Sequence, residues 1–134
     1  MNELANPLEL CGFEFIEFVA KDKELDEIFQ TIGFSKVAKH KSKNVYLWRQ
    51  GNINIILNYQ PESAAAYFFK EHGPSACAMG FRTKDAAKAF NKAIELGAEP
   101  IYSKIGPMEL NIPAIKGIAT IRHRIARPAI KCQC

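Results

Sequence analysis

The chain has 134 residues, of which 48% are hydrophobic and 24% charged, as expected for one soluble domain that buries its own core. No apolar run approaches the roughly 20 residues that span a bilayer, and the N-terminus lacks the regions of a signal peptide, so we expect a cytoplasmic protein without membrane contact. The net charge of +4 lies in residues 119–134, which hold four basic residues and no acid. Without a basic face on the rest of the chain, nucleic-acid binding is not expected.

Residues from about 12 to 60 are predicted to form a strand, a helix and three further strands. Phe13 to Val19 is rich in aromatic and β-branched residues, as a strand is. Asp22 is expected to cap the following helix, and Gly33 to end it. The helix would bury an apolar stripe made of Leu25, Ile28, Phe29 and Ile32.

Three runs of strand-forming residues follow this helix. They cover Ser35 to His40, Val45 to Gln50 and Ile53 to Asn58. The last two are separated by Gly51 and Asn52, which are typical of a tight hairpin turn. Beyond Pro61, Ser63 is expected to cap a linker helix over about residues 63–72.

A second strand and helix begin near residue 74. Ser75 to Phe81 is short and apolar, as a buried strand is, and either Thr83 or Asp85 is expected to cap the next helix. Gly97 would end that helix. Its predicted apolar stripe consists of Ala86, Ala89, Phe90, Ala93, Ile94 and Leu96. Later strands are expected to begin at Ile101-Tyr102 and to cover Met108 to Ile112.

The spacing of the caps and glycines indicates an internal duplication. Asp85 follows Asp22 by 63 residues, and Gly97 follows Gly33 by 64. We therefore predict an α+β fold of two paired βαβββ units, the first repeat at about 12–60 and the second at about 74–118. Whether the second repeat is complete stays open. The alternative is that any two strand–helix units look alike.

The residues themselves predict no catalytic, cofactor-binding or metal site. His40, His72 and His123 are interpreted as surface or turn histidines, because none lies in a pattern that places a nucleophile beside it. The single close pair Cys132 and Cys134 does not make a four-cysteine zinc site. Cys77, in an apolar strand, is interpreted as a small hydrophobe.

Two carboxylates in the first strand remain open in role. Glu14 and Glu17 are three residues apart, so on a regular strand they point to opposite faces. A structural or exposed role is favoured for both. Glu17 shares its face with Phe13, Phe15 and Val19, where it would be either buried and paired or part of a cleft lining.

Several segments together carry a family resemblance. Besides Glu14 and Glu17, residues 49–58 (RQGNINIILN), 72–79 (HGPSACAM) and 106–118 (GPMELNIPAIKGI) are similar to the N-terminal half of the 4-hydroxyphenylpyruvate dioxygenase family. The resemblance runs from about Asn6 to Ile118. It implies the vicinal-oxygen-chelate fold of paired βαβββ units, and an N-terminal dioxygenase-like domain over residues 1–118. Family enzymes convert 4-hydroxyphenylpyruvate and O2 to homogentisate and CO2 in tyrosine catabolism, using Fe(II) held by two His and one Glu.

The resemblance also implies that this chain holds no iron of its own. The family's ligands come from a C-terminal domain to which no residue here corresponds. Metal-bearing relatives of the fold also place a ligand about seven residues before the capping Asp. Those positions here are Phe15 and Ala78, which cannot bind metal. We therefore expect a metal-free half that is inactive alone, has the missing C-terminal domain as its partner, and forms homo-oligomers through uncovered apolar surface or a sheet edge.

Residues 119–134 form a basic tail that departs from the family pattern. One hypothesis is a frame change in the coding DNA, so that another reading frame downstream would restore a His-containing domain. The alternative is a divergent last strand, because Ile121, His123 and Ile125 alternate with Arg122, Arg124 and Ala126. A second function hypothesis is a small stand-alone ligand-binding or scaffold protein of the same fold. A third, an enzyme with a site shared between subunits, is disfavoured by Phe15 and Ala78.

Overall fold

The secondary structure repeats one pattern, a strand followed by a helix and three strands, on either side of a connecting helix. The computed structural model describes residues 5–102, 111–117 and 122–126. Within these ranges the elements are β1 (Leu10–Val19), α1 (Glu24–Thr31), β2 (Ser35–Lys39), β3 (Val45–Gln50), β4 (Ile53–Asn58), α2 (Ala64–His72), β5 (Ser75–Thr83), α3 (Ala86–Glu95), β6 (Pro100–Ile101), β7 (Ala114–Lys116) and β8 (Arg122–Ala126).

Contacts divide the chain into two units. The 15–79 unit consists of Phe15–Met79, and the 80–134 unit consists of Gly80–Cys134 together with Met1–Glu14. Strands β1 and β5 therefore contribute residues to both units. Among the residues that the structure describes, no helix has the length and hydropathy needed to cross a membrane.

The sheet of the 15–79 unit has the strand order β2-β3-β4-β1-β5. β1 and β4 run parallel, with Ile16 opposite Ile55, while β3 is antiparallel to both of its neighbours. The predicted hairpin of β3 and β4 is confirmed. Gly51 has a φ of +54° at the first central position of its two-residue turn, where glycine is favoured. In β2, the pairing register shifts between Lys36 and Ala38.

The core of the 15–79 unit lies between α1 and one face of the sheet. Leu57 is fully buried there, and burying each large apolar side chain is worth about 1.5–3 kcal/mol. Two residues of the predicted stripe, Ile28 and Ile32, are instead more than half exposed. The short helix α1 packs on the sheet through Phe29 and Leu25, which are one turn apart. Ile28 and Ile32 follow an adjacent line along the helix surface, and this line faces solvent. The buried cluster consists of Phe29, Phe34, Trp48, Ile55 and Leu57.

The two predicted caps of the repeats differ in outcome. Asp22 is not a cap: the N-cap of α1 is Lys23, which makes no side-chain hydrogen bond to the helix. The chain turns one residue later than predicted, and acidic residues in the first turn interact with the helix dipole instead. Asp85 does cap α3, accepting from the backbone N–H groups of Ala87 and Lys88. Thr83 is the buried last residue of β5, two residues before the N-cap.

The linker helix is confirmed as α2, and its cap is the predicted one. The Ser63 Oγ accepts a hydrogen bond of 3.1 Å from the backbone N–H of Ala66. Ala65 of α2 packs with Val19 and Cys77, which are both buried. Cys77 thus occupies an apolar cluster, as its interpretation as a small hydrophobe required.

The second repeat is completed by a strand from the basic tail. In the 80–134 unit the strand order is β5-β8-β7-β6, and β7 pairs antiparallel with both β6 and β8. β8 lies inside residues 119–134, so for residues 122–126 the structure agrees with a divergent last strand. The frame-change hypothesis concerns the gene and stays a prediction.

Two later expectations in this unit need correction. Of the predicted strand from Met108 to Ile112, residues 108–110 lie outside the described residues, and Asn111 and Ile112 belong to no strand. The strand β7 begins instead after Pro113, whose ring cannot donate to a ladder. Tyr102 follows the two-residue β6 and is 86% exposed. In α3, Ala89 and Ala93 are buried as predicted, whereas Leu96 is exposed at the C-cap.

Candidate functional site

The positions expected to align with metal ligands carry hydrocarbon side chains. Phe15 and Ala78 are both buried. Because the N-cap of α1 is Lys23 and not Asp22, counting back seven residues leads to Ile16 rather than Phe15. The position expected to align with a metal ligand therefore shifts by one residue. The conclusion is unchanged, because Phe15, Ile16 and Ala78 all lack a donor atom for a metal.

Two of the three histidines are described, and both are exposed. His40 follows β2, and its Nδ1 accepts a hydrogen bond of 3.2 Å from the backbone N–H of Ser42. His72 ends α2, with its ring centroid 4.3 Å from that of Phe68. His123 lies in β8, and its side chain is outside the described part of the chain.

The described residues do not provide the donor set of an iron centre. No group of three or more His, Cys, Asp or Glu side chains among them could hold a metal ion. The expectation that this chain binds no Fe(II) by itself remains a prediction for measurement.

The two carboxylates of β1 have different surroundings. Glu14 is partly exposed and accepts a hydrogen bond of 2.7 Å from the Arg82 Nε, within the 80–134 unit. Glu17 is only 4% exposed, and its Oε1 accepts a 2.8 Å hydrogen bond from the Asn58 Nδ2 in the 15–79 unit. The sequence left open whether Glu17 is buried and paired or lines a cleft, and in the structure it is buried and paired. A buried carboxylate needs such partners, because an unpaired one is costly to desolvate.

A polar network at α1 was not predicted from the sequence. Asp26, in the first turn of α1, forms an ion pair of 2.6 Å with the Lys36 Nζ of β2. Its second oxygen accepts a hydrogen bond of 2.5 Å from the hydroxyl of Tyr59, which follows β4. Burial, followed by the hydrogen bond to Asp26, raises the pKa of Tyr59 well above its usual value, so the phenol keeps its proton at neutral pH.

Aromatic rings hold the lysine of this network in place. The Lys36 Nζ lies 4.6 Å from the ring centroid of Tyr46 and 5.0 Å from that of Trp48. Lys36 and Trp48 are directly opposite each other on β2 and β3, which explains the contact. A cation over aromatic faces is attracted by about 0.5–2 kcal/mol, depending on its exposure. The network therefore fastens α1 to the sheet on one side of the core.

Comparison with known proteins gives the family. The family model for the N-terminal domain of hydroxyphenylpyruvate dioxygenase matches residues 4–124. The chain belongs to the 4-hydroxyphenylpyruvate dioxygenase family. The 4-hydroxyphenylpyruvate dioxygenase of Pseudomonas sp. (strain P.J. 874) is 59% identical over 114 residues, covering 84% of this chain and 32% of that protein. The chain thus spans about a third of the length of this dioxygenase and corresponds to its family's N-terminal domain, and the match to the family model extends into β8.

Proteins with other names also contain a region similar to this chain. A 3-dehydroshikimate dehydratase of Pseudomonas aeruginosa is 41% identical over 116 residues, which are 84% of this chain and 18% of that protein. A solved structure of a xylose isomerase-like TIM barrel/4-hydroxyphenylpyruvate dioxygenase fusion protein has a TM-score of 0.80 and 35% identity. It covers 90% of this chain, which spans 20% of the fusion chain. The paired βαβββ fold predicted for this dioxygenase domain is confirmed.

Proposed function

We propose that this chain acts as the N-terminal domain of a 4-hydroxyphenylpyruvate dioxygenase, which converts 4-hydroxyphenylpyruvate and O2 to homogentisate and CO2. The observation that carries the proposal is the 59% identity to a named dioxygenase over most of this chain. The setting would be tyrosine catabolism in the cytoplasm. The Fe(II) of the reaction would be held by the C-terminal part of such a polypeptide, not by residues of this chain.

The role of this domain in the reaction would be structural support. Phe15, Ile16 and Ala78 offer no ligand at the expected positions, and Glu17 is occupied by its hydrogen bond to Asn58. The match to a relative named as a dehydratase supports the same role, because a domain shared by enzymes of different names does not define the reaction by itself.

An exchange of domains tests this proposal. Residues 4–124 of this chain would replace the matching segment of the Pseudomonas sp. dioxygenase, and homogentisate formation would be assayed with Fe(II) and ascorbate. We expect the chimera to form product and the 134-residue chain alone to form none and to bind no iron. Product from the chain alone would overturn the supporting role. A folded, iron-loaded chimera without activity would overturn the assignment to a dioxygenase.

A second candidate is a small stand-alone ligand-binding or scaffold protein of the same fold, favoured by an open groove in the 15–79 unit. Sedimentation of the chain alone measures its oligomeric state and its solubility, and so tests both this candidate and the expected homo-oligomer. A well-folded species that stays soluble without any added domain supports a stand-alone role. Aggregation that is relieved by adding the C-terminal part of the Pseudomonas sp. dioxygenase supports the first candidate.

A further inference from the structure

The side chain of Gln50 connects two elements of the 15–79 unit. Gln50 is the last residue of β3 and lies opposite Ile53 across the hairpin. Trp48, two residues earlier and so on the same face of the strand, contacts the Phe29 ring of α1. Gln50 therefore lies on the helix side of the sheet, further along the strand. There its Nε2 donates a hydrogen bond of 3.2 Å to the carbonyl oxygen of Ile32.

This carbonyl group belongs to the closed end of α1. The backbone N–H groups of Gly33 and Phe34 donate hydrogen bonds back to carbonyl groups in the last turn, as in a Schellman motif. Ile32 is the C-cap residue, and its carbonyl oxygen is one of the acceptors that a helix end leaves without an intrahelical donor. The Gln50 amide supplies that donor from the neighbouring strand.

The absence of a side chain at Gly33 gives the Gln50 amide its place. Gly33 has a φ of +96°, a conformation that glycine adopts readily and other residues rarely do. A Cβ atom at this position would lie 2.5 Å from the Gln50 Nε2, which is closer than such atoms approach. Because the amide is the far end of a flexible side chain, a methyl group there would displace it and break its hydrogen bond to Ile32.

The end of α3 has the same backbone conformation without this contact. Gly97 has a φ of +97°, and the N–H groups of Gly97 and Ala98 likewise donate back into the last turn. In the described part of the chain, nothing beyond its immediate neighbours lies within 4 Å of a Cβ atom placed at Gly97. The two glycines therefore carry the same backbone strain for any substitution, and they differ in the contact with Gln50.

We propose that Gln50 is a latch for the end of α1. Its amide occupies the space above Gly33 and ties the Ile32 carbonyl to the β3–β4 hairpin, so that the last turn of α1 opens only when this hydrogen bond breaks. For one exposed hydrogen bond, the latch lowers the population of the open helix end about two- to fivefold. The proposal concerns the 15–79 unit and does not rest on the dioxygenase assignment.

A cycle of variants in the full 134-residue chain measures the latch. The equilibrium constant of unfolding would be obtained by urea denaturation for Gly33→Ala, Gln50→Ala and the double variant, with Gly97→Ala as the matched control. Both glycine substitutions place alanine at the same strained φ. We expect Gly33→Ala to raise this constant about two- to fivefold more than Gly97→Ala does, because it also displaces the amide.

The excess should disappear when the latch is already absent. In the Gln50→Ala background, Gly33→Ala should raise the unfolding constant by the same factor as Gly97→Ala does in the parent. Comparing Gly33→Ala in the two backgrounds cancels any change in strand propensity at position 50.

Hydrogen exchange locates the effect along the chain. Gln50→Ala should accelerate exchange of the Gly33 and Phe34 amides about two- to fivefold and leave the Gly97 and Ala98 amides unchanged.

Three results would overturn the proposal. The first is an equal effect of Gly33→Ala and Gly97→Ala on the unfolding constant, which means that the amide holds nothing at Gly33. The second is an excess for Gly33→Ala that persists in the Gln50→Ala background, which means that another group is displaced. The third is equal acceleration, or none, at both helix ends in Gln50→Ala, which means that Gln50 has no local hold on α1.

Discussion

Helices α1 and α3 occupy the same place in the repeated pattern, yet they are held by different means. α1 has no side-chain N-cap and buries an aromatic residue, Phe29, in a cluster with Phe34 and Trp48. α3 is capped by Asp85 and buries two alanines, Ala89 and Ala93. One pattern of elements thus tolerates an aromatic contact in one copy and a small-residue contact in the other. The same order of elements therefore forms with a large buried side chain at one helix and small ones at the other.

The largest expected effect comes from the aromatic contact of α1. Phe29→Ala removes a buried ring from the cluster and should lower the free energy of unfolding by about 3–5 kcal/mol, as measured by urea denaturation. Ile28→Ala, one residue away and 53% exposed, is the matched control and should change stability by less than about 0.5 kcal/mol. Equal losses would mean that α1 does not rest on the sheet through Phe29.

At the small-residue contact of α3, adding side-chain volume rather than removing it should destabilise the fold. Ala93→Leu inserts three extra carbons into a position that is 4% exposed and should cost about 1–3 kcal/mol through overpacking. On the same helix, Leu96→Ala changes a residue that is 63% exposed and should have little effect. Thermal unfolding followed by circular dichroism would compare the two. A stabilised Ala93→Leu variant would show that α3 leaves space against its sheet.

The caps provide a finer comparison of the same helices. Asp85→Ala removes an acceptor for two backbone N–H groups and should cost about 0.5–2 kcal/mol. Asp22→Ala, at the position one residue before the N-cap of α1, should be close to neutral. Both variants can be measured by urea denaturation in one buffer. If Asp22→Ala were as costly as Asp85→Ala, the two helix starts would be equivalent after all.

The smallest effect is expected at Tyr59, which stabilises α1 through Asp26. Tyr59→Phe removes one hydrogen bond and should cost about 0.5–1.5 kcal/mol at neutral pH. Because folding raises the pKa of Tyr59 above its ordinary 10.0, the stabilisation is complete below pH 10 and is lost as the pH rises further. The parent should therefore lose more stability than Tyr59→Phe between pH 9 and 11. Parallel pH profiles of the two proteins would contradict this contribution.

The features that the sequence predicted correctly depend on residues that are neighbours in the chain. The hairpin of β3 and β4 has the predicted bounds because alternation and a Gly-Asn turn are both properties of neighbouring residues. Asp85 was recognised as one of two possible caps for the same reason. The strand β7 was not predicted, because the residues before Pro113 alternate more clearly than the three residues after it that do pair.

What the sequence could not provide was the polar network and the groove. Asp26 is ten residues from Lys36 and 33 from Tyr59, and all three look like ordinary surface residues in a linear reading. Their contact depends on how α1 lies on the sheet, which no local pattern specifies. The Trp48 indole N–H, which has no acceptor among the described residues, is likewise visible only when its surroundings are known.

The shifted pairing in β2 affects how readily another strand could pair with this edge of the sheet. β2 is the outer strand of its unit, all five of its residues are exposed, and the irregularity falls between Lys36 and Ala38. An irregular outer strand that carries lysines is a poor template for adding another strand. At the outside of the other unit, β6 has two residues and begins with Pro100. Within the described residues, both outer strands are therefore poorly suited to extending a sheet, whereas Ile28 and Ile32 present exposed apolar side chains at α1.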